Sequence, residues 1–212
     1  MKRVLLAGAT GLVGQATLQL ALASTAVTEV VAPTRRPLPP AHPKLRNPVV
    51  DFDALPGDAA WWRVDAVACA LGTTIRDAGS QEAFRRVDHD YCLAIARHAH
   101  AHGARAFALV SALGADPASP MFYSRTKGEL EQALERIGFD SLTLLRPGLL
   151  GGRRTRHRAG ERWAQRLLGT LGPALPRRYR VVPPEHVAAA LLDAALEARP
   201  GRHVVPSEQM LG

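Results

Sequence analysis

Residues 4–14 read Val4-Leu5-Leu6-Ala7-Gly8-Ala9-Thr10-Gly11-Leu12-Val13-Gly14. Four consecutive apolar residues suit a strand buried on both faces. The glycines that follow are spaced GxxGxxG, and helical periodicity resumes over residues 12–23. In a strand–turn–helix unit the first glycine permits the tight turn. The second lets a pyrophosphate approach the backbone, and the third lets the helix lie close to the strand. The helix start then offers free N–H groups and the positive end of its dipole to phosphate. The bare glycine spacing is a weak signal. Placed between a strand and a helix it is a strong one for dinucleotide binding. The predicted cofactor contacts here are Gly8, Thr10, Gly11, Leu12, Val13 and Gly14.

Outward from this unit, strands and helices alternate. Strands are expected at 29–32, 49–50, 65–71, 105–110, 142–145 and 203–205, and helices at 80–102, 123–137, 161–168 and 184–196. A proline-rich loop (Pro37, Pro39, Pro40, Pro43, Pro48) separates the second and third strands. Gly138 stops one helix, and Pro184 opens another. Apolar strands alternating with helices predict an α/β fold, a doubly wound parallel sheet covered on both faces. With 212 residues the chain has room for one such domain, residues 1–212, with a small substrate-side lobe at 151–182.

An NAD site wants an acid about 20 residues beyond the glycine loop, to bind the ribose 2′-hydroxyl. That place holds Pro33-Thr34-Arg35-Arg36, and the next acid is Asp51. Guanidinium groups suit a 2′-phosphate, so Arg35 and Arg36 predict NADP(H) in preference to NAD(H).

Ser111 ends the fifth strand, and Tyr123 and Lys127 follow on the next helix. Residues four apart share a helix face, so the phenol and the ammonium point together at the sheet edge where this fold binds ligands. An ammonium favours the phenolate of a neighbouring tyrosine. Tyr123 is therefore the candidate proton donor to a carbonyl oxygen, Lys127 its tuning cation and a ligand of the nicotinamide ribose, and Ser111 the group that orients the substrate. Lys127 is one of three lysines among 27 basic side chains, so its place argues for a role.

These features together resemble an atypical short-chain dehydrogenase/reductase with the Rossmann fold, over nearly the whole chain. Within that superfamily the chain is most similar to the NAD(P)H-binding, NmrA-like oxidoreductase family of the HIV Tat-interactive protein and its bacterial relatives. Further residues carry the resemblance: Val50-Asp51-Phe52, Cys69-Ala70-Leu71-Gly72-Thr73-Thr74, Val87-Asp88-His89-Asp90-Tyr91 and Arg146-Pro147-Gly148. The resemblance implies that Asp51 and Phe52 flank the adenine, and that Leu71, Gly72 and Thr73 line the ribose and pyrophosphate. It places Pro147, Gly148, Leu149 and Leu150 beside the nicotinamide. Asp88 falls near the place of a helix Asn in many relatives, so the resemblance gives no proton relay there. Family members also regulate through protein partners. Two functions follow: an NADPH-dependent reductase of a carbonyl or similar small substrate, and an NADP(H)-binding regulatory or redox-sensing protein with little turnover.

The net charge of +8 is concentrated. Residues 151–180 hold nine arginines and a single acid, Glu161. The run Arg153-Arg154-Thr155-Arg156-His157-Arg158 suits a solvated lobe surface or contact with an anionic substrate. It has no interleaved aromatics, which argues against a nucleic-acid partner. Cys69 and Cys92 form no CxxC motif and read as buried thiols. His98 and His102 share a helix face but lack a third ligand, so no metal site is expected. There is no GxSxG nucleophile elbow. No signal-peptide pattern and no apolar run of about 18 residues is present, so no membrane association is expected and a cytoplasmic location is. Monomer and homodimer both remain open.

Overall fold

The computed structural model describes residues 1–39, 42–151 and 176–211, with the backbone alone at Tyr179. The basic run at 153–158 and the helix expected at 161–168 lie outside the described residues. In chain order the main elements are β1 (Lys2–Ala7), α1 (Leu12–Ala23), β2 (Val27–Val31), β3 (Leu45–Arg46) and β4 (Ala66–Cys69). Then come α2 (Ile75–Ala78), α3 (Gln81–Arg85), α4 (Cys92–Ala101), β5 (Ala106–Val110) and α5 (Phe122–Glu135). The last are β6 (Ser141–Arg146), α6 (Pro184–Glu197) and β7 (Gly201–Pro206).

The seven strands form one sheet in the order β3-β2-β1-β4-β5-β6-β7. Every pairing is parallel. The strand order reverses between β1 and β4, and a doubly wound sheet binds ligands in the crevice outside the strand ends at that point. The five inner strands contribute side chains to two cores, one on each face. Leu5, Val67, Cys69, Phe107, Leu109 and Leu144 pack under α4 and α5. Val4, Leu6, Ala66, Ala68, Ala106 and Ala108 pack under α1 and α6. The near-continuous apolar strands are explained by this two-sided burial.

Two departures from the expected elements have local causes. The third strand is Leu45–Arg46, and Val49 contributes only an isolated bridge to Thr34. Pro48 stands between them and has no N–H to give the ladder. The long helix expected over 80–102 is interrupted by a π-helical turn, Arg86–Tyr91, between α3 and α4. Its wider turn carries a buried Asp88 and a buried His89. Such turns often mark functional positions.

The glycine loop depends on missing side chains. Gly8 has φ +86, and a Cβ there would lie 2.6 Å from the Ala70 backbone at the end of β4. A Cβ on Gly14 would lie 1.9 Å from the Gly8 carbonyl oxygen. Only glycine allows α1 to start so close to β1. We predict that Gly14→Ala lowers unfolding free energy by about 3 kcal/mol, the upper range for overpacking a close-packed site. Gly57→Ala, where a Cβ would meet only a side-chain atom at 3.7 Å, should be nearly neutral. Urea unfolding of the two variants checks the contrast.

Candidate functional site

Because every strand runs the same way, the loops after β1, β2, β4, β5 and β6 gather along one sheet edge. The glycine loop sits at its centre. Gly11 N–H bonds the Gly8 carbonyl at 2.9 Å, which closes the turn. The first N–H groups of α1 have no partner within the helix and face the loop. The Val13 side chain is buried in the core, so only its backbone is available to a ligand. Thr10 and Gly11 are exposed. A Cβ at Gly11 would meet only the Gly8 carbonyl oxygen, at 3.4 Å, so glycine leaves the backbone there open, and the residues present suit a dinucleotide.

Arg35 and Arg36 follow β2 at the same edge, and both are exposed. Leu71, Gly72 and Thr73 follow β4. Phe52 is buried and packs against Tyr91 with ring centroids 5.5 Å apart, while Asp51 is exposed. The Tyr91 hydroxyl donates to Asp53 at 2.8 Å, which fixes this loop against the helix beneath. Pro147 and Gly148 follow β6, where the Gly148 N–H bonds the buried Ser207 hydroxyl at 3.0 Å. Leu149 is about half exposed at the mouth.

Beneath the loop after β4 lies a buried ion pair. Lys127 Nζ is 2.7 Å from Asp88 Oδ1, with the side chains only 4% and 1% exposed. The other Asp88 oxygen accepts the Thr73 N–H at 2.7 Å. One carboxylate therefore ties the loop after β4 to α5. Burial alone would push the Lys127 ammonium toward its neutral form. Asp88 outweighs that, helped by Tyr123 and Cys92, and raises the Lys127 pKa above its ordinary value. Lys127 thus stays charged, out of solvent, one helical turn from Tyr123. The phenol is 40% exposed, and its ring leans on the buried Phe84 at 5.4 Å.

Ser111 is placed differently from Tyr123 and Lys127. It is buried, and its hydroxyl donates to Glu131 Oε1 on α5. Glu131 is also held by Arg146, whose Nε lies 3.1 Å away and whose Nη2 contacts the second oxygen. A serine hydroxyl has one proton to give. In this arrangement that proton is directed at Glu131.

Three residues matter here whose part in the site the sequence did not show. Asp88 stands four residues from Phe84 and four from Cys92, which puts an acid on an apolar stripe. Glu131 interrupts the stripe of Leu130 and Leu134 in the same way. An acid on a buried stripe needs a partner, and that was the available signal. Gly128 has a different reason. A Cβ there would lie 2.2 Å from Pro117 N, so α5 can pass under the loop after β5 only with glycine at that turn.

Cys69 and Cys92 are both free and buried, with sulfurs 3.7 Å apart. Among the described residues no helix is long and apolar enough to cross a membrane.

Removing Asp88 should expose the cost of burying Lys127. Breaking a buried pair on one side typically costs about 3–5 kcal/mol. We predict a loss of that size for Asp88→Asn at pH 7. Without Asp88, burial dominates and depresses the folded-state pKa of Lys127. The unfolded chain then binds more protons, so the variant's stability rises with pH. The deficit should shrink between pH 7 and 10. In the wild type the raised pKa keeps the contribution of this pair intact up to about pH 10, the ordinary lysine range. Urea unfolding at both pH values tests the sign.

Comparison with known proteins agrees with this geometry. A family model described as NAD(P)H-binding matches residues 8–198. Protein HTATIP2 of Rattus norvegicus is 37% identical over 196 residues, covering 91% of this chain and 80% of its own. The mitochondrial protein FMP52 of Candida albicans is 36% identical over 169 residues, covering 74% and 72%. Other fungal relatives carry the same mitochondrial name, which overturns the expectation of a cytoplasmic location. Among solved structures, MoeE5 with UDP-glucuronic acid and NAD superposes at TM-score 0.72 and 20% identity, covering 95% of this chain and 75% of that one. UDP-glucuronic acid 4-epimerase from Bacillus cereus with NAD gives 0.70 and 15%, covering 96% and 78%. At those identities the likeness is one of fold. With its glycine loop, parallel sheet and HTATIP2-like and FMP52-like relatives, the chain belongs to the NAD(P)H-binding family of atypical short-chain dehydrogenase/reductases.

Proposed function

We propose that the protein is an NADP(H)-dependent reductase of a carbonyl or similar small substrate. The observation that carries this reading is the pairing on α5 of an exposed phenol with a buried, charged lysine one turn away, at the edge that holds the glycine loop. When bound, the cofactor supplies the hydride. The chain's own groups do the rest. Gly8, Gly11 and Gly14 admit the pyrophosphate to the backbone. Arg35 and Arg36 meet the 2′-phosphate. Lys127 offers hydrogen bonds to the nicotinamide ribose and holds positive charge beside the phenol. Tyr123 gives its proton to the substrate oxygen as negative charge develops there. The substrate-side lobe is the segment at 151–182, whose arginines favour an anionic substrate.

One observation favours a second reading, a nucleotide-binding regulator with little turnover that acts through a protein partner. The buried Ser111 hydroxyl donates to Glu131, which supports a site with little turnover.

Two measurements test the primary reading. Tyr123→Phe should lower the rate of carbonyl reduction by about 10²–10⁴-fold, the range for a general acid. Its affinity for NADPH should be unchanged. Cofactor binding without measurable turnover in the wild type, across a panel of aldehydes, ketones and keto acids, would favour the regulatory reading. Titration with NADPH and NADH should show preference for NADPH. The double variant Arg35→Ala, Arg36→Ala should lose at least about tenfold of it, since charge-assisted hydrogen bonds contribute 1.5–3 kcal/mol each.

A further inference from the structure

The turn that carries Arg35 and Arg36 is held from both sides by two side chains outside the catalytic constellation. Thr34 is 4% exposed, and its hydroxyl donates to the Arg36 carbonyl at 2.6 Å. Asn47 lies across the base of the turn, in the segment after β3. Its amide nitrogen donates to the Ala32 carbonyl at 2.6 Å and to the Thr34 hydroxyl at 2.8 Å. Its amide oxygen accepts the Leu38 N–H at 2.8 Å. Backbone bonds add to this: Thr34 N–H to Pro48 O at 3.0 Å, and Val50 N–H to Thr34 O at 2.9 Å.

The result is a clip. Asn47 grips the chain before the two arginines, at Ala32 and Thr34, and after them, at Leu38. Thr34 uses both capacities of its hydroxyl, accepting from Asn47 and donating to Arg36, so the two side chains act as one chain of hydrogen bonds. The arginine side chains are exposed, and the bonds that fix the turn are all made by other groups. The backbone is fixed while both guanidinium groups stay available. That division suits anion recognition, because it removes the ordering of the loop from what binding must supply.

We infer that Thr34 and Asn47 are positioning residues for cofactor selectivity, holding Arg35 and Arg36 ready for a 2′-phosphate. The inference rests on the assignment of those arginines to NADP(H). It adds that selectivity depends on the clip as well as on the charges. The clip reaches only the turn after β2, so it bears on the 2′-phosphate and leaves the pyrophosphate cradle at Gly8–Gly14 untouched.

The test is titration with NADPH and NADH of wild type, Thr34→Val, Thr34→Ser, Asn47→Ala and the Arg35→Ala, Arg36→Ala double variant, each with its thermal melting curve. Thr34→Val keeps the shape and removes the hydroxyl. It should lose about tenfold in NADPH affinity with NADH affinity kept, a drop of about 1.4 kcal/mol. Asn47→Ala should do the same, and Thr34→Ser, which restores the hydroxyl, should bind like wild type. A folded Thr34→Val protein with wild-type preference overturns the inference while leaving the arginine assignment standing. So does an equal fall in both affinities, which marks a merely structural role. A wild type without preference, or a double variant that keeps it, overturns the arginine assignment and the inference with it. If Asn47→Ala does not fold, the Thr34→Val and Thr34→Ser pair decides alone.

Discussion

The site is organised around one buried ion pair, Asp88 with Lys127. Two charges removed from water interact strongly but are expensive to desolvate, and such a pair is weak evidence for stability in itself. Its contribution here is geometric. Asp88 reaches Lys127 on α5 with one oxygen and the Thr73 N–H after β4 with the other. That carboxylate is buried within the π-helical turn. Three segments distant in sequence therefore have their relative positions set by one side chain. The lysine is held charged one helical turn from Tyr123.

Two close approaches of backbone set the rest of the edge. Gly8 and Gly14 let α1 begin against β1, and Gly128 lets the loop after β5 cross α5. In both places the missing Cβ is the structural element, and the chemistry of the site follows from where the backbone can go. The Ser111–Glu131–Arg146 network ties β5, α5 and β6 together behind this edge. It resembles the Asp88–Lys127 pair in design, an acid on α5 or its neighbour joining elements that the sheet alone leaves free to slide.

Much of this was legible in the sequence. The parallel, doubly wound sheet follows from apolar strands alternating with helices, and the glycine loop was readable because its spacing has meaning only between a strand and a helix. Membership of the NAD(P)H-binding family was carried by several motifs together. What could not be read was pairing across the fold. Ser111 was placed correctly at a strand end, yet which way its hydroxyl turns depends on Glu131, twenty residues away. Asp88 was visible as an acid near a familiar position, but its partner Lys127 lies on another helix, distant in sequence. The third strand shifted to Leu45–Arg46 because register on an edge strand is decided by a few backbone bonds and one proline. The cytoplasmic expectation failed for another reason: it rested on a missing signal, and the names of the fungal relatives point elsewhere.

In the proposed function, one sheet edge, with Asp88 and Lys127 within it, receives a whole NADP(H) molecule in a single orientation. A crystal structure of the complex with NADP⁺ tests it most directly. The pyrophosphate should lie over the glycine loop, the 2′-phosphate between Arg35 and Arg36, and the nicotinamide ribose within hydrogen-bond reach of Lys127, with Tyr123 beside the ring. A dinucleotide bound with its adenine end toward Lys127, or a ribose that Lys127 does not reach while Asp88 holds it, would contradict it.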